Sequence, residues 1–351
     1  MFLKILYSFF LAGIISWLSI KPLLFLAKKF NFFDIPDNYR KIHRNKIPTL
    51  GGIAIFLGWL FSVLMWIDFV QCHEAQFLII GVVALAFLGI KDDISVLDPL
   101  KKFGGQLVVA FIIVYLGDER LTSFYGIFGI GELPNLISII FTILVFLTII
   151  NAINLIDGIN TLAASIALIG SIFYAIWFYL VDQNLQHTII AIALTGALLP
   201  FLYYNITPAK IFMGDTGSMI LGFLLAFFSV DFIQTNAINK NHEFFFNSSP
   251  TLAIAILMLP LYDLIRTMLI RIIKRKNPLK ADQNHIHHML LKLGLSHEYT
   301  TLILILFSIS VIIIALLLRH FNNQITGIII LAYTILLNIL LRYLINKKEN
   351  V

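Results

Sequence analysis

Five short polar strings interrupt a chain that is otherwise almost wholly apolar. Asp92 and Asp93 are adjacent carboxylates with Lys91, Lys101 and Lys102 nearby. Neighbouring carboxylates repel one another unless a lysine or a metal cation compensates, and oxygen-only ligands suit Mg²⁺ or Mn²⁺. The same pair also reads as a solvated helix end whose acids balance lysines. Asn151, Asn154 and Asp157 lie three apart, on one face of a helix, in the apolar run from Phe146 to Ile156. Polar groups there are costly and mark a functional site by default, with an interhelical hydrogen-bond clasp as the plainer alternative. Gly214-Asp215-Thr216-Gly217-Ser218 reads either as a turn or as a helix start that offers backbone N–H groups to an anion, with Asp215 able to hold a metal. Asp263 and Arg266 follow, then His285, His287 and His288 after the basic run Arg271, Lys274, Arg275, Lys276 and Lys280. That run is also a topology determinant that attracts anionic headgroups. The histidine spacing allows Zn²⁺, but no cysteine supports it, and imidazoles beside cations fit phosphate better.

Acids, histidines and lysines of this kind point to metal-assisted chemistry on a polyanion. Phosphoryl transfer needs a metal and cations to neutralise phosphate charge, and a scaffold that aligns nucleophile and leaving group. Cys72, His73, His187 and His242 read as inert, and Glu74, Asp118, Glu119, Glu132, Asp182 and Glu243 show no clustering along the chain.

The elements that must position these groups are membrane helices. Of 351 residues, 59% are apolar and only 13% charged, against roughly 25% charged in a soluble domain. A soluble globule could not hide that much apolar surface, and a disordered chain would not carry it. A disulfide scaffold is excluded because Cys72 is the only cysteine. Apolar stretches fall at 5–27, 51–70, 77–90, 104–117, 134–151, 159–181, 188–205, 217–236, 250–270, 300–318 and 325–345. These predict an all-α polytopic membrane protein with about eleven spans, and one membrane-embedded domain over 1–351. The first stretch reads as a span rather than a cleavable leader.

Alternate loops 28–50, 91–103, 206–216, 271–299 and the tail 346–351 hold 18 of the 25 lysines and arginines; the opposite loops hold Arg120, Lys240 and Arg319. The positive-inside rule places the N-terminus outside and the C-terminus in the cytoplasm. All five polar strings then face the cytoplasm. The net charge of +6 sets topology and gives no reason to expect a nucleic-acid partner. One substrate should be soluble and the other carried by the lipid.

On these residues the chain resembles the polyprenyl-phosphate N-acetylhexosamine-1-phosphate transferases of glycosyltransferase family 4. The resemblance runs nearly end to end. Its motifs keep family order: His43-Arg-Asn-Lys46-Ile-Pro48-Thr49-Leu50-Gly51-Gly52; Asp92-Asp93 with Lys102 and Gln106; Asn151 to Gly158; Phe212 to Ser218; Asp282-Gln-Asn-His285-Ile-His287-His288. Any one would be weak, whereas five in order are specific. The resemblance implies attack of undecaprenyl phosphate on the β-phosphate of a UDP-N-acetylhexosamine, with release of UMP and a requirement for Mg²⁺ or Mn²⁺. It implies that Asp215 binds the metal, with Asp92 and Asp93 at the phosphates or supporting the metal. Asp157 joins these three acids in the catalytic set. His43, Lys46, Lys102, Asn151, Asn154, Asn160, His285, His287 and His288 would contact substrate. It further implies a multi-pass protein of the bacterial inner membrane, starting a surface polysaccharide, with a homodimer open as its assembly.

A phosphate monoester has its second pKa near 6 and scarcely needs a base at pH 7. Asp92 and Asp93 are therefore read as orienting or metal-supporting groups, with base catalysis by Asp92 as the alternative. Many relatives carry Asp-Gly-x-Asp-Gly where this chain reads Asp157-Gly158-Ile159-Asn160-Thr161. The amide loses a charge but donates hydrogen bonds that a carboxylate cannot. The His-Ile-His-His string and the span count are closer to the WecA and TagO branch than to MraY, which favours a simple UDP-sugar over the muramoyl-pentapeptide donor. The alternatives are the MraY-type reaction and, from another class, a secondary transporter. A transporter's acids should lie near the bilayer midplane.

Overall fold

The computed structural model describes residues 2–30, 33–34, 47–181, 185–275 and 285–349. The fold is all-α: α1 Phe2–Phe30, α2 Gly51–Trp66, α3 Glu74–Ile94, α4 Pro99–Phe111, α5 Asn135–Ile156, α6 Leu162–Val181, α7 Gln186–Asn205, α8 Gly214–Ile238, α9 Ser249–Ile256, α10 Met258–Ile273, α11 Ile286–Lys292, α12 His297–Leu317 and α13 Asn323–Glu349. One two-residue antiparallel pairing joins Phe33–Asp34 to Ile47–Pro48. Among the described residues eight helices are long and apolar enough to cross a membrane, or nine if a bent pair counts as one. Every predicted stretch meets a helix, and 51–70 and 77–90 fall on α2 and α3.

Helix α8 is the axis of the bundle. Its apolar window is 100% buried, against 17% for α13 at the periphery. It packs against α2, α3, α5, α6 and α9, with Phe223, Phe227, Phe228 and Phe232 wholly enclosed. Beside it α1, α2 and α7 form a second group. These are tied by small-residue contacts and polar clasps: Ser8 to Ser62 at 2.8 Å, the Ser16 hydroxyl to the Ala197 carbonyl at 2.9 Å, and the Trp59 indole N–H to the Ile190 carbonyl at 3.1 Å. Such bonds hold membrane helices together where hydrophobicity alone cannot discriminate between partners.

The sequence stretch 250–270 reads as one span, but the chain bends by 78° between α9 and α10. Pro260 has no N–H to give the Ile256 carbonyl, so the helical ladder breaks there. An apolar cavity of about 350 Å³ lies beside the break, with Val145, Ile149, Val230, Ala253 and Leu257 in its walls and exposed Leu144 and Ile254 at its rim.

The region expected as loop 91–103 is mostly helix. The last turn of α3 carries Lys91, Asp92 and Asp93, and α4 begins at Pro99. Asp98 caps α4, accepting from the Leu100 N–H at 2.9 Å, with Pro99 in the first turn. Hydropathy falls before the helix does, because a helix can run past the apolar layer into the polar rim.

Candidate active site

Four helix ends meet at one end of the bundle: the C-termini of α3 and α5 and the N-termini of α4 and α8. Asp92, 7% exposed, accepts from the Leu97 N–H at 2.7 Å and pairs with the Lys102 ammonium at 2.8 Å. Lys102 also pairs with Asp215, so two carboxylates from different helices share one cation. The Asn154 amide donates to Asp215 at 2.6 Å and to the Ser218 hydroxyl at 2.8 Å. Asn151, one turn earlier, donates to Gln106 at 3.0 Å and to its own helix at the Leu147 carbonyl. Asn151 is therefore the clasp that the plainer reading anticipated, and Asn154 reaches the acids.

Asp93 turns the other way. Its oxygens accept from the backbone N–H groups of Asp215 (2.7 Å) and Thr216 (3.1 Å) and from the Thr216 hydroxyl (2.6 Å). These amides begin α8, where a helix concentrates unpaired donors and positive potential. The first N–H groups of α2 meet the same corner: Gly51 and Gly52 donate to the Phe212 and Met213 carbonyls, each at 2.8 Å. Gly214 has φ +73°, and a Cβ there would stand 2.7 Å from both Asp93 oxygens. The glycine is required for conformation and for space alike.

Asp157 follows the last turn of α5. Burial, and then the nearby negative charges of Asp215 and Asp93, push its carboxyl well above the usual carboxylate range. The shift favours the protonated form, which can donate a hydrogen bond.

A second cluster closes the same end. Asp263 on α10 accepts from the Ile286 N–H at 3.0 Å, pairs with Arg266 at 3.1 Å and meets His285 Nδ1 at 2.8 Å. His285 and His287 stack with ring centres 5.6 Å apart, and His288 lies 4.3 Å from His287. The His287 Nε2 is buried without a hydrogen-bond partner among the described residues. It faces Gly158, where a Cβ would approach to 3.0 Å. Burial and the neighbouring His288 pull the His287 imidazole down to about 3, so it is neutral. Gly158 is thus the point where the two clusters touch.

Asn160 donates to the Thr207 hydroxyl at 3.2 Å, and its backbone carbonyl accepts from Thr301 at 3.0 Å. Beside it the Asn205 side chain accepts from the Thr161 N–H at 2.6 Å. Sequence reasoning passed over Asn205, Thr207 and Thr301, whose signal was polar side chains at helix ends. His43 and Lys46 lie outside the described residues.

The acids that read as scattered do not all remain so. At the far end of the bundle Cys72, Glu74 and His187 come together, with Asp231 behind the imidazole.

A family model for glycosyl transferase family 4 matches residues 75–233. The chain is 30% identical over 316 residues to a decaprenyl-phosphate N-acetylglucosaminephosphotransferase of Mycobacterium tuberculosis, covering 84% of this chain and 78% of that one. It is 31% identical over 306 residues to an undecaprenyl-phosphate alpha-N-acetylglucosaminyl 1-phosphate transferase of Haemophilus influenzae, covering 84% and 81%. The Pasteurella multocida protein of the same description is 32% identical over 303 residues, covering 84% and 80%.

Proposed function

The chain belongs to glycosyl transferase family 4, and from that membership we propose that its donor is UDP-N-acetylglucosamine and its acceptor undecaprenyl phosphate. It is a multi-pass membrane enzyme that transfers N-acetylglucosamine 1-phosphate to a polyprenyl phosphate. The observation that carries the mechanistic reading is the convergence of Asp92, Lys102, Asn154 and Asp215 from four helices.

An oxygen of the lipid phosphate attacks the donor's β-phosphorus. The bond from that phosphorus to the bridging oxygen breaks, and UMP leaves with the electron pair. The acceptor is largely dianionic at neutral pH, so Asp92 need not remove a proton. Its contacts with Leu97 and Lys102 give it an orienting role instead. Lys102 supplies positive charge where the phosphates meet, Asn154 holds Asp215, and Asp157, shifted toward its protonated form, would donate a hydrogen bond to a phosphate oxygen. His287 Nε2 and Asp263, with its partners Arg266 and His285, complete the rim on the other side of Gly158.

The donor set suits Mg²⁺, being all oxygen. Asp92 and Asp215 already converge on a cation, Lys102, which shows that their shared space accepts positive charge. Asp215, with Asp92, would hold the ion, and Mg²⁺ there would neutralise the diphosphate. Asp93, engaged by three donors of α8, would support rather than ligate.

The eleven-span arrangement with the N-terminus outside is supported by the way polar clusters alternate. The start of α2 meets the active-site corner, its far end leads to Cys72 and Glu74, and α3 returns to Asp92. Both helices therefore run the depth of the bundle. Positive charge on the active-site loops supports a cytoplasmic site, and the relatives' bacterial origin supports an inner-membrane location. The prenyl chain would rest in the apolar cavity beside the α9–α10 break, whose nearest wall residue on α5, Ile149, lies about 7 Å along the helix from Asn154.

The test is purified protein with undecaprenyl phosphate, Mg²⁺ and a panel of UDP-sugars, followed by UMP release. UMP from UDP-N-acetylglucosamine is expected. Release only with the muramoyl-pentapeptide donor would move the chain to the other branch, and no release with any donor would end the reading.

A further inference from the structure

The end of the bundle opposite the active site holds a cluster that phosphoryl transfer does not use. Cys72 precedes α3, Glu74 opens it and His187 lies in the first turn of α7. The thiol of Cys72 is 3.2 Å from Glu74 Oε1 and 4.0 Å from His187 Nε2, and that nitrogen is 2.9 Å from the same carboxylate oxygen. Asp231 of α8 stands 3.4 Å from the other imidazole nitrogen. Glu74 and Asp92 are 18 residues apart on α3, about 27 Å along the axis.

We propose that Cys72, Glu74 and His187 form a transition-metal site of the Zn²⁺ class, with Asp231 orienting the imidazole. Sulfur, nitrogen and carboxylate oxygen make a ligand set for a borderline-soft ion and not for Mg²⁺. Around tetrahedral Zn²⁺, with bonds of roughly 2.0–2.3 Å, such donor atoms stand about 3.4–3.6 Å apart. The three separations straddle that range, so shifts of about half an ångström would close the site. Metal-bound histidines usually give their second N–H to a carboxylate, and Asp231 stands where it would receive it. Its other oxygen is fixed by the Thr235 hydroxyl at 3.0 Å.

Electrostatics favours a dication. Glu74 and Asp231 flank the imidazole directly. The rings of Phe178 and Phe227 pack on His187 and keep water from that side. The Glu74 side chain, 24% exposed, leaves a path for the ion. A fourth position would be left to water. Binding would send the Cys72 proton to solvent, leaving thiolate as ligand. The ion would pin α3, α7 and α8 together at the end away from catalysis.

The full chain in detergent, stripped with chelator, would be titrated with Co²⁺ under excess Mg²⁺ to keep oxygen-only sites filled. One equivalent of Co²⁺ should raise a thiolate-to-metal charge-transfer band that Zn²⁺ then abolishes. Cys72→Ser should lose the band, His187→Gln should weaken binding at least tenfold, and Asp231→Asn should weaken it about 10–100-fold. Zn²⁺ should raise the Tm of the wild-type chain and leave Cys72→Ser unmoved. A wild-type chain without the band overturns the proposal, whatever the variants do. So does a band that survives Cys72→Ser.

Discussion

Asp93 and Gly214 fit one another: the carboxylate that receives the leading amides of α8 occupies the space a side chain at Gly214 would need. Asp93 thereby fixes the start of the helix that carries Asp215. Replacing Gly214 with Ala adds a methyl 2.7 Å from both Asp93 oxygens at a φ of +73°. Backbone strain of this kind costs on the order of 1–3 kcal/mol. Gly214→Ala should lower Tm and turnover together. Unchanged values for both would show that the corner can relax.

Asp93→Asn keeps one acceptor oxygen and points an NH₂ at a backbone donor. The loss of a helix cap costs about 0.5–2 kcal/mol, and turnover should fall with it at every Mg²⁺ concentration. Asp215→Ala should abolish turnover even at saturating Mg²⁺. If Asp93→Asn were instead rescued by added Mg²⁺, Asp93 would be a ligand and not a support.

Lys102→Gln removes the cation between Asp92 and Asp215. The loss of a charge-stabilising donor typically costs about 10²–10³ in kcat. The bare acids should at the same time hold Mg²⁺ more tightly, so the half-saturating Mg²⁺ concentration should drop while kcat falls. If both move in the unfavourable direction, Lys102 is not competing for the metal position.

Burial and the charges of Asp215 and Asp93 shift Asp157 toward its neutral form. An amide mimics a neutral carboxylic acid better than it mimics a carboxylate. Asp157→Asn should therefore keep turnover within about tenfold, whereas Asp215→Asn should lose about 10² or more. Equal losses would show that Asp157 works ionised.

His287 titrates near 6.5 when unfolded and about 3 when folded. Between those values the unfolded chain binds a proton that the folded chain refuses. Stability is thus complete above pH 6.5 and falls as the pH drops toward 3, by up to about 1.4 kcal/mol per unit. Thermal unfolding from pH 7 to 5 should show this slope, and His287→Gln should flatten it. Parallel slopes would place the titrating group elsewhere.

What the sequence made legible was polarity out of place. Asn154 in an apolar run and Asp215 between glycines announced themselves, and the structure joins them to each other, with Lys102 on Asp215. Asp93 looked like its neighbour because sequence carries no direction: successive helical residues point about 100° apart, so one acid meets the lysine and the other the next helix. The Cys72 cluster was illegible for another reason. His187 is 115 residues away, and each member sits alone in an ordinary loop or helix end. The bend after α9 was hidden because hydropathy does not register a missing N–H at Pro260.

The α9–α10 break has a kinetic consequence. On the proposed reading, in which this cavity takes the prenyl chain, its exposed rim would admit the substrate sideways, from two dimensions rather than three. The concentration that governs encounter is then the carrier's mole fraction in the bilayer, and diluting it with inert lipid slows the enzyme even when the total amount in the tube is unchanged.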